Sequence, residues 1–160
     1  HRVPFIVRWP SKIKPKSISN EVVSQVDLAA TFARIIDYPL EREEAIDSYN
    51  LHPVFVGKKY LKPLRVATVQ NTSAKKFAIR QGDWVLIDAP TGAAKKEQND
   101  YLDHFGLEPY GKEHQGLLFN LKNDPRQSNN LYPDHPDRVK RMRSLLQSYL
   151  NGKACAPNKQ

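Results

Sequence analysis

A single cysteine, a single methionine and seven glycines among 160 residues exclude several kinds of protein. Cys155 alone allows no intramolecular disulfide and no zinc cluster of thiolates. Its setting, the polar tail "NGKACAPNKQ", gives a reactive thiol no pocket. The sequence has no Gly-rich phosphate loop, no Gly-x-Ser-x-Gly elbow and no His-Glu-x-x-His. Its five histidines (His1, His52, His104, His114, His135) are scattered without ligand-like spacing. Asp27 and Asp47 are isolated carboxylates, so paired acid–base chemistry is not evident. No apolar stretch approaches the roughly 20 residues that cross a bilayer, and no h-region with a cleavage site appears. On local motifs alone, the sequence contains no complete active site.

Charge is plentiful and unevenly placed. The formal net charge is +8, and residues 1–80 hold 14 Lys and Arg against 7 Asp and Glu. Such a surface attracts polyanions, although a solvated basic face is the commoner meaning. Lys12, Lys14 and Lys16 alternate in "SKIKPKS" with no aromatic between them, unlike a platform that stacks single-stranded bases. The length suits one ordinary domain. Twelve prolines favour extended connectors over flexible ones.

The opening "HRVPFIVRWP" sets Val3, Phe5, Ile6, Val7 and Trp9 in a β-prone run closed by Pro10, the pattern of a strand buried on both faces in a parallel sheet. In "SNEVVSQVDLAATFARIIDYPLE", Val22, Val23, Val26, Ala29, Ala30, Ala33 and Ile36 keep the helical period. Leu28, Phe32 and Ile35 widen that stripe, which predicts a helix packed against a sheet. Asn20 or Ser24 is its expected cap and Pro39 its stop. Residues 41–63 read as a linker with a short helix or turn near Pro53–Val56. From Leu64 onward the signals are β-type: "LRVATVQNT", the hairpin-like "AIRQGDWVLI" with its Gly-Asp turn, and "LLFNL". Residues 90–115 are a long polar excursion. The closing "DHPDRVKRMRSLLQSYL" predicts a helix with Val139, Met142, Leu145, Leu146, Tyr149 and Leu150 on one face. Asp134 is its expected cap, Pro136 lies in the first turn, and Arg138, Lys140, Arg141 and Arg143 are largely outward.

Four segments in series resemble type I, formylglycine-dependent sulfatases of the alkaline phosphatase superfamily. Arg2, Pro4, Trp9 and Pro10, then Ser24, Asp27, Leu28 and Thr31, are similar to the strand and the Ser-x-x-Asp-Leu-x-x-Thr helix that follow that family's Glu-Gly-Gly signature. Asp47, Ser48, Asn50, Pro53 and Gly57 resemble its Asp-Ser-(Tyr/Phe)-Asn segment. "FAIRQGDWVLIDAPTG" and "LLFNLKNDPRQSNNLYPDHPDRVKRM" resemble its last strand pair and closing helix. Together the matches run from His1 to about Gly152.

The resemblance implies a fold and a division of labour. The fold class is α/β: a terminal strand-helix piece of a sulfatase-type parallel sheet (residues 1–40), a linker (41–63) and a small α+β domain (64–152). That domain is an antiparallel sheet with a packed C-terminal helix, and a disordered tail (153–160) follows. The implied activity is hydrolysis of aryl or carbohydrate sulfate esters. The family's formylglycine, calcium ligands and catalytic Lys and His residues match nothing here, so no catalytic or metal-binding residue is expected within this chain. The implied partners are the N-terminal remainder of a sulfatase and a sulfated small molecule or glycan. No membrane is implied, nucleic acid is not favoured, and a periplasmic or secreted setting is suggested by the family only.

The implied pocket residues are His1, Gln70, Asn71 and Thr72. Relatives often carry His where this chain has Gln70; an amide can bond a sugar hydroxyl but cannot shuttle a proton at neutral pH. The alternative, that 70–72 merely end an edge strand, stays open. Gln127 stands where the family usually has Glu, and Val85 where many relatives have Lys. A rival reading is a basic, non-catalytic binding module for a sulfated glycan or nucleic acid.

Overall fold

The computed structural model describes residues 3–41, 43–73, 76–90 and 114–152. Contacts divide the chain into two compact units, the first reaching Val66 and the second beginning at Ala67.

In the first unit, residues 3–9 form no strand, contrary to the expectation of a buried one. Val3 and Ile6 are 84% and 89% exposed, and Phe5 and Val7 are exposed as well. The physical reason is a missing partner: no strand among the described residues of this unit offers a ladder, and an apolar run cannot be a strand alone. Phe5 pairs with Phe55, ring centroids 6.0 Å apart. The chain then turns at Trp9, whose carbonyl accepts from the Lys12 and Ile13 amides at 2.9 and 2.8 Å. Trp9 also lies beside His52, ring centroids 5.9 Å apart.

The expected helix is present but shorter. A 3-10 turn, Gln25–Asp27, leads into α1, Leu28–Ile35. Val22 and Val23 fall outside it. Ser24 rather than Asn20 sits at the start, its backbone N–H donating to Asp27 Oδ2 at 2.8 Å. The helix ends in a Schellman arrangement: Asp37 takes a left-handed φ of 54°, and the Tyr38 amide reaches back to the Ala33 carbonyl at 2.8 Å. Pro39 then disfavours helical geometry at Tyr38. Only Ala30, Thr31 and Ala33 of α1 are buried; Val26, Phe32 and Ile36 are exposed. The wide apolar stripe is real, but within this unit only one side of it is covered. α2, His52–Phe55, is the short helix expected near Pro53.

The second unit is an antiparallel meander. β1 (Thr68–Ser73), β2 (Lys76–Gln81), β3 (Trp84–Ile87) and β4 (Leu117–Asn120) lie side by side in sequence order. Gly82 and Asp83 make the β2–β3 turn, with Gln81 opposite Trp84 and Gly82 at φ +57°, the sign a two-residue hairpin asks of its first loop residue. Register aligns Val69 with Ile79, Ile79 with Leu86, and Leu86 with Leu118, a row crossing all four strands. α3, Pro136–Leu150, lays Val139, Met142 and Leu146 on this row, and together with Ala67 these residues form the core.

Three details of α3 differ from expectation. Its N-cap is His135, because Pro136 occupies the first helical position and leaves Asp134 one residue too early. Leu150, at the frayed end, is exposed. Arg143 is turned inward rather than outward, as described below. Trp84 is flanked by helix residues: His135 meets it edge-on at 5.3 Å, and the Arg138 guanidinium lies 4.1 Å over its ring.

Candidate functional site

The pocket residues expected from sequence are only partly described. His1 lies outside the described residues, as does the Cys155 tail. Gln70 and Asn71 lie on β1, an edge strand, opposite Ala78 and Phe77 respectively. Neighbouring strand residues face opposite ways, so Gln70 and Asn71 present to opposite sides of the sheet. Gln70 is half-buried and Asn71 exposed. The register shifts between Asn71 and Ser73; Thr72 belongs to β1, and its side chain is not described.

A tightly bonded cluster lies elsewhere, and it is built from residues the sequence comparison singled out. Asp27 is wholly buried at the start of α1. Its carboxylate accepts from the Ser24 amide (2.8 Å) and the Tyr49 amide (2.9 Å), and it is ion-paired with Arg65. Thr31, one turn on, donates its hydroxyl to the Asp27 carbonyl at 2.6 Å and accepts the Leu51 amide at 2.8 Å. The Ser48 hydroxyl accepts the Ala30 amide at 2.8 Å. Arg65 also donates to the Asp47 carbonyl at 3.0 Å and lies 4.3 Å over the Tyr49 ring. Asp27, Thr31 and Ser48 thus tie residues 48–51 to the start of α1 through backbone amides, which buried segments must satisfy. Arg65 is the member that sequence reasoning missed. A usable signal existed: an aspartate inside an apolar helical stripe requires a cation or several N–H donors. Arg65 Nε is buried and has no hydrogen-bond partner among the described residues.

The second unit has its own polar node. Arg143 Nε donates to Asp88 Oδ1 at 2.9 Å, and Nη2 bonds the Tyr132 hydroxyl at 2.9 Å and Asp88 at 2.8 Å. The Tyr132 bond foremost, reinforced by Asp88 and opposed by partial burial, pushes the guanidinium further above its ordinary value, so it stays cationic. Nearby, Asn130 Oδ1 accepts from the Leu118 and Tyr132 amides, both at 3.0 Å, tying β4 to the segment that precedes α3.

The turn after β4 is organised by Asp124. Partial burial, the largest single influence, would raise its carboxyl. The backbone amides of Ser128, Asn129, Gln127 and Arg126 together outweigh it and hold the group below the usual carboxylate range. A carboxylate depressed in the folded state adds stability above its unfolded value, and that stability is lost as pH falls through the folded value. Asp124→Asn should therefore flatten the acid limb of a thermal unfolding profile below about pH 4 while leaving neutral stability only slightly lower. Parallel acid limbs for the two proteins would show that this turn does not titrate.

Among the described residues, no three His, Cys, Asp or Glu side chains come together where they could hold a metal ion. The described residues therefore do not fit a calcium site, which the resemblance implies only for the remainder of a complete enzyme, and no chemistry is derived through it. Nor is any described helix long and apolar enough to cross a membrane.

No family profile matches the sequence. Individual relatives do. The N-acetylgalactosamine-6-O-sulfatase of Bacteroides thetaiotaomicron is 31% identical over 147 residues, 92% of this chain and 27% of the relative. Human steryl-sulfatase is 26% identical over 163 residues, 91% of this chain and 27% of the relative. A solved Bacteroides thetaiotaomicron structure, described under the metabolism of multiple glycosaminoglycans, superposes with a TM-score of 0.70 at 30% identity, covering 91% of this chain and 28% of that one. Over nine-tenths of its length the chain is similar to sulfatases, and it aligns with their C-terminal part. It spans about a quarter of the length of the curated relatives it matches.

Proposed function

We propose that this chain is the C-terminal portion of an enzyme that hydrolyses sulfate esters, and that it shapes the substrate side of the pocket without supplying the reaction centre. The observation that carries this reading is the likeness over nine-tenths of the chain to sulfatases more than three times its length. Two features of the molecule agree with it. The apolar surface of Val3, Ile6, Phe32 and Ile36 is bare, as expected of elements whose packing neighbours belong to other chain segments. Asp27, Thr31 and Ser48, which match the family, are occupied in fastening backbone.

Sulfated sugars are the substrate class favoured by the relative with 31% identity. Gln70, a neutral donor and acceptor on edge strand β1, is the residue offered to a sugar hydroxyl. The rival reading, a non-catalytic polyanion module, is not favoured by relatives that are sulfatases.

The test has two arms. The purified 160-residue chain is expected to release no sulfate from 4-nitrophenyl sulfate or N-acetylgalactosamine 6-sulfate, whereas a polypeptide that also carries the family's nucleophile segment should. Turnover by the chain alone would overturn the reading. In the longer polypeptide, Gln70→Ala should change the ratio of kcat/KM for those two substrates several-fold. It should shift unfolding by no more than about 0.5 kcal/mol, the usual range at a surface position. An unchanged ratio removes Gln70 from the pocket.

A further inference from the structure

We infer that the second unit carries a binding groove for an anionic oligosaccharide along α3, beyond any role in sulfate hydrolysis. A cavity of about 840 Å³ opens between that helix and the segment around Tyr132, within the size range of ligand sites. One stripe of α3 floors it: Lys140, Arg143, Ser144, Gln147 and Asn151 recur at helical spacing beside the core-facing stripe. From Lys140 to Asn151 the floor is about 16 Å long at 1.5 Å per residue, enough for a short oligosaccharide. The facing wall is aromatic, the Tyr132 ring stacked with His114 at 6.2 Å and 24°.

The lining chemistry selects the ligand. No carboxylate is among the described residues that line the cavity, and Asp88, the partner of lining residue Arg143, is engaged by its Nε and Nη2. Arg143 Nη1 makes no hydrogen bond among the described residues, and neither do the side-chain amides of Gln147 and Asn151. Lys140 is exposed and has no ion pair among them. A pyranose presents a flat C–H face to an aromatic ring, hydroxyls to amides and a serine, and an acidic substituent to two cations. Nucleic acid fits less well, because strand binding needs a succession of aromatic platforms and the described residues of the groove offer one ring pair. The Lys12–Lys16 loop in the first unit offers charge alone.

Calorimetric titration with a hyaluronan hexasaccharide tests the groove. That probe bears carboxylates and no sulfate ester, so its binding is read apart from any sulfatase turnover. A neutral chitin hexasaccharide and a short single-stranded DNA serve as comparators. Hyaluronan should bind more tightly than either. Lys140→Glu should weaken binding about tenfold, as loss of one charge-assisted contact does, and Gln147→Ala several-fold. Lys12→Glu makes the same charge change in the other unit and should cost less than about twofold. Both lysines are exposed, and unchanged unfolding midpoints would verify that the variants fold. Equal losses from Lys12→Glu and Lys140→Glu, DNA binding as tight as the sugar, equal affinity for the neutral sugar, or no binding at all would each overturn the assignment.

Discussion

Asp27→Ala should remove about 3–5 kcal/mol from the first unit, the usual cost of leaving one member of a buried ion pair alone. The loss has two parts. Arg65, only 8% exposed, would keep its charge with nothing opposite it. The amides of Ser24 and Tyr49 would lose their acceptor, and a buried donor without a partner costs about 1–3 kcal/mol. Since small domains have only about 5–15 kcal/mol in hand, the variant should be open to protease throughout residues 3–66 while the second unit resists. Asp27→Asn retains an acceptor for the amides and should fall between alanine and the parent. The decisive measurement is a double-mutant cycle. Asp27→Ala with Arg65→Ala should cost less than the sum of the single changes by about 1–3 kcal/mol, because the second change removes an already orphaned charge. Strict additivity would show that the two residues do not act as a pair.

Gly116→Ala should be the costliest single-methyl change in the second unit. A Cβ at that position would sit 2.6 Å from a Tyr132 ring carbon and 2.9 Å from the Ile87 carbonyl oxygen. The carbonyl belongs to β3 and the ring is tied to Arg143, so neither can withdraw freely. Overpacking of this kind costs about 1–3 kcal/mol, a fall of several degrees in Tm for a domain of this size. Gly82→Ala is the informative contrast. Nothing lies within 4 Å of a Cβ there, and only the φ of +57° opposes the change, so its cost should stay near 1–2 kcal/mol of left-handed backbone strain. Indistinguishable melting of Gly116→Ala and the parent would mean that the Gly116 site has more slack than its geometry indicates.

How much of this was legible beforehand depended on whether the controlling contact was local. The β2–β3 hairpin was announced by Gly82-Asp83 between two β-prone runs, because turn chemistry is decided within four residues. α3 was equally clear, since Val139, Met142 and Leu146 repeat at helical spacing over a long segment. Its cap was misplaced by one residue because Asp134 and Pro136 are both sound start signals, and only the backbone shows which residue is the last outside the helix. Periodicity also misled at the start of α1: Val22 and Val23 continue the apolar stripe but precede the Ser24–Asp27 turn that begins the helix. The opening run reads as a strand by composition, yet a strand is a relation between segments, and no pattern in residues 3–9 reveals whether a partner is within reach. Asp27 within an apolar stripe called for a cation, but which one was illegible for the same reason: Arg65 is distant in sequence. Its partner Asp27 lies 38 residues away, and nothing in "PLRVATV" points to it. The family likeness recovered Ser24, Asp27 and Thr31 as matching positions without saying why they match; the hydrogen bonds supply the reason.

The two tryptophans fall one to each unit, Trp9 beside His52 and Trp84 beneath Arg138. Each unit therefore carries a built-in fluorophore. Trp84→Phe leaves emission that reports only on the N-terminal unit, and Trp9→Phe only on the C-terminal one. With those two variants, melting curves can be recorded separately, and whether the halves unfold together or in succession becomes a question for a fluorimeter.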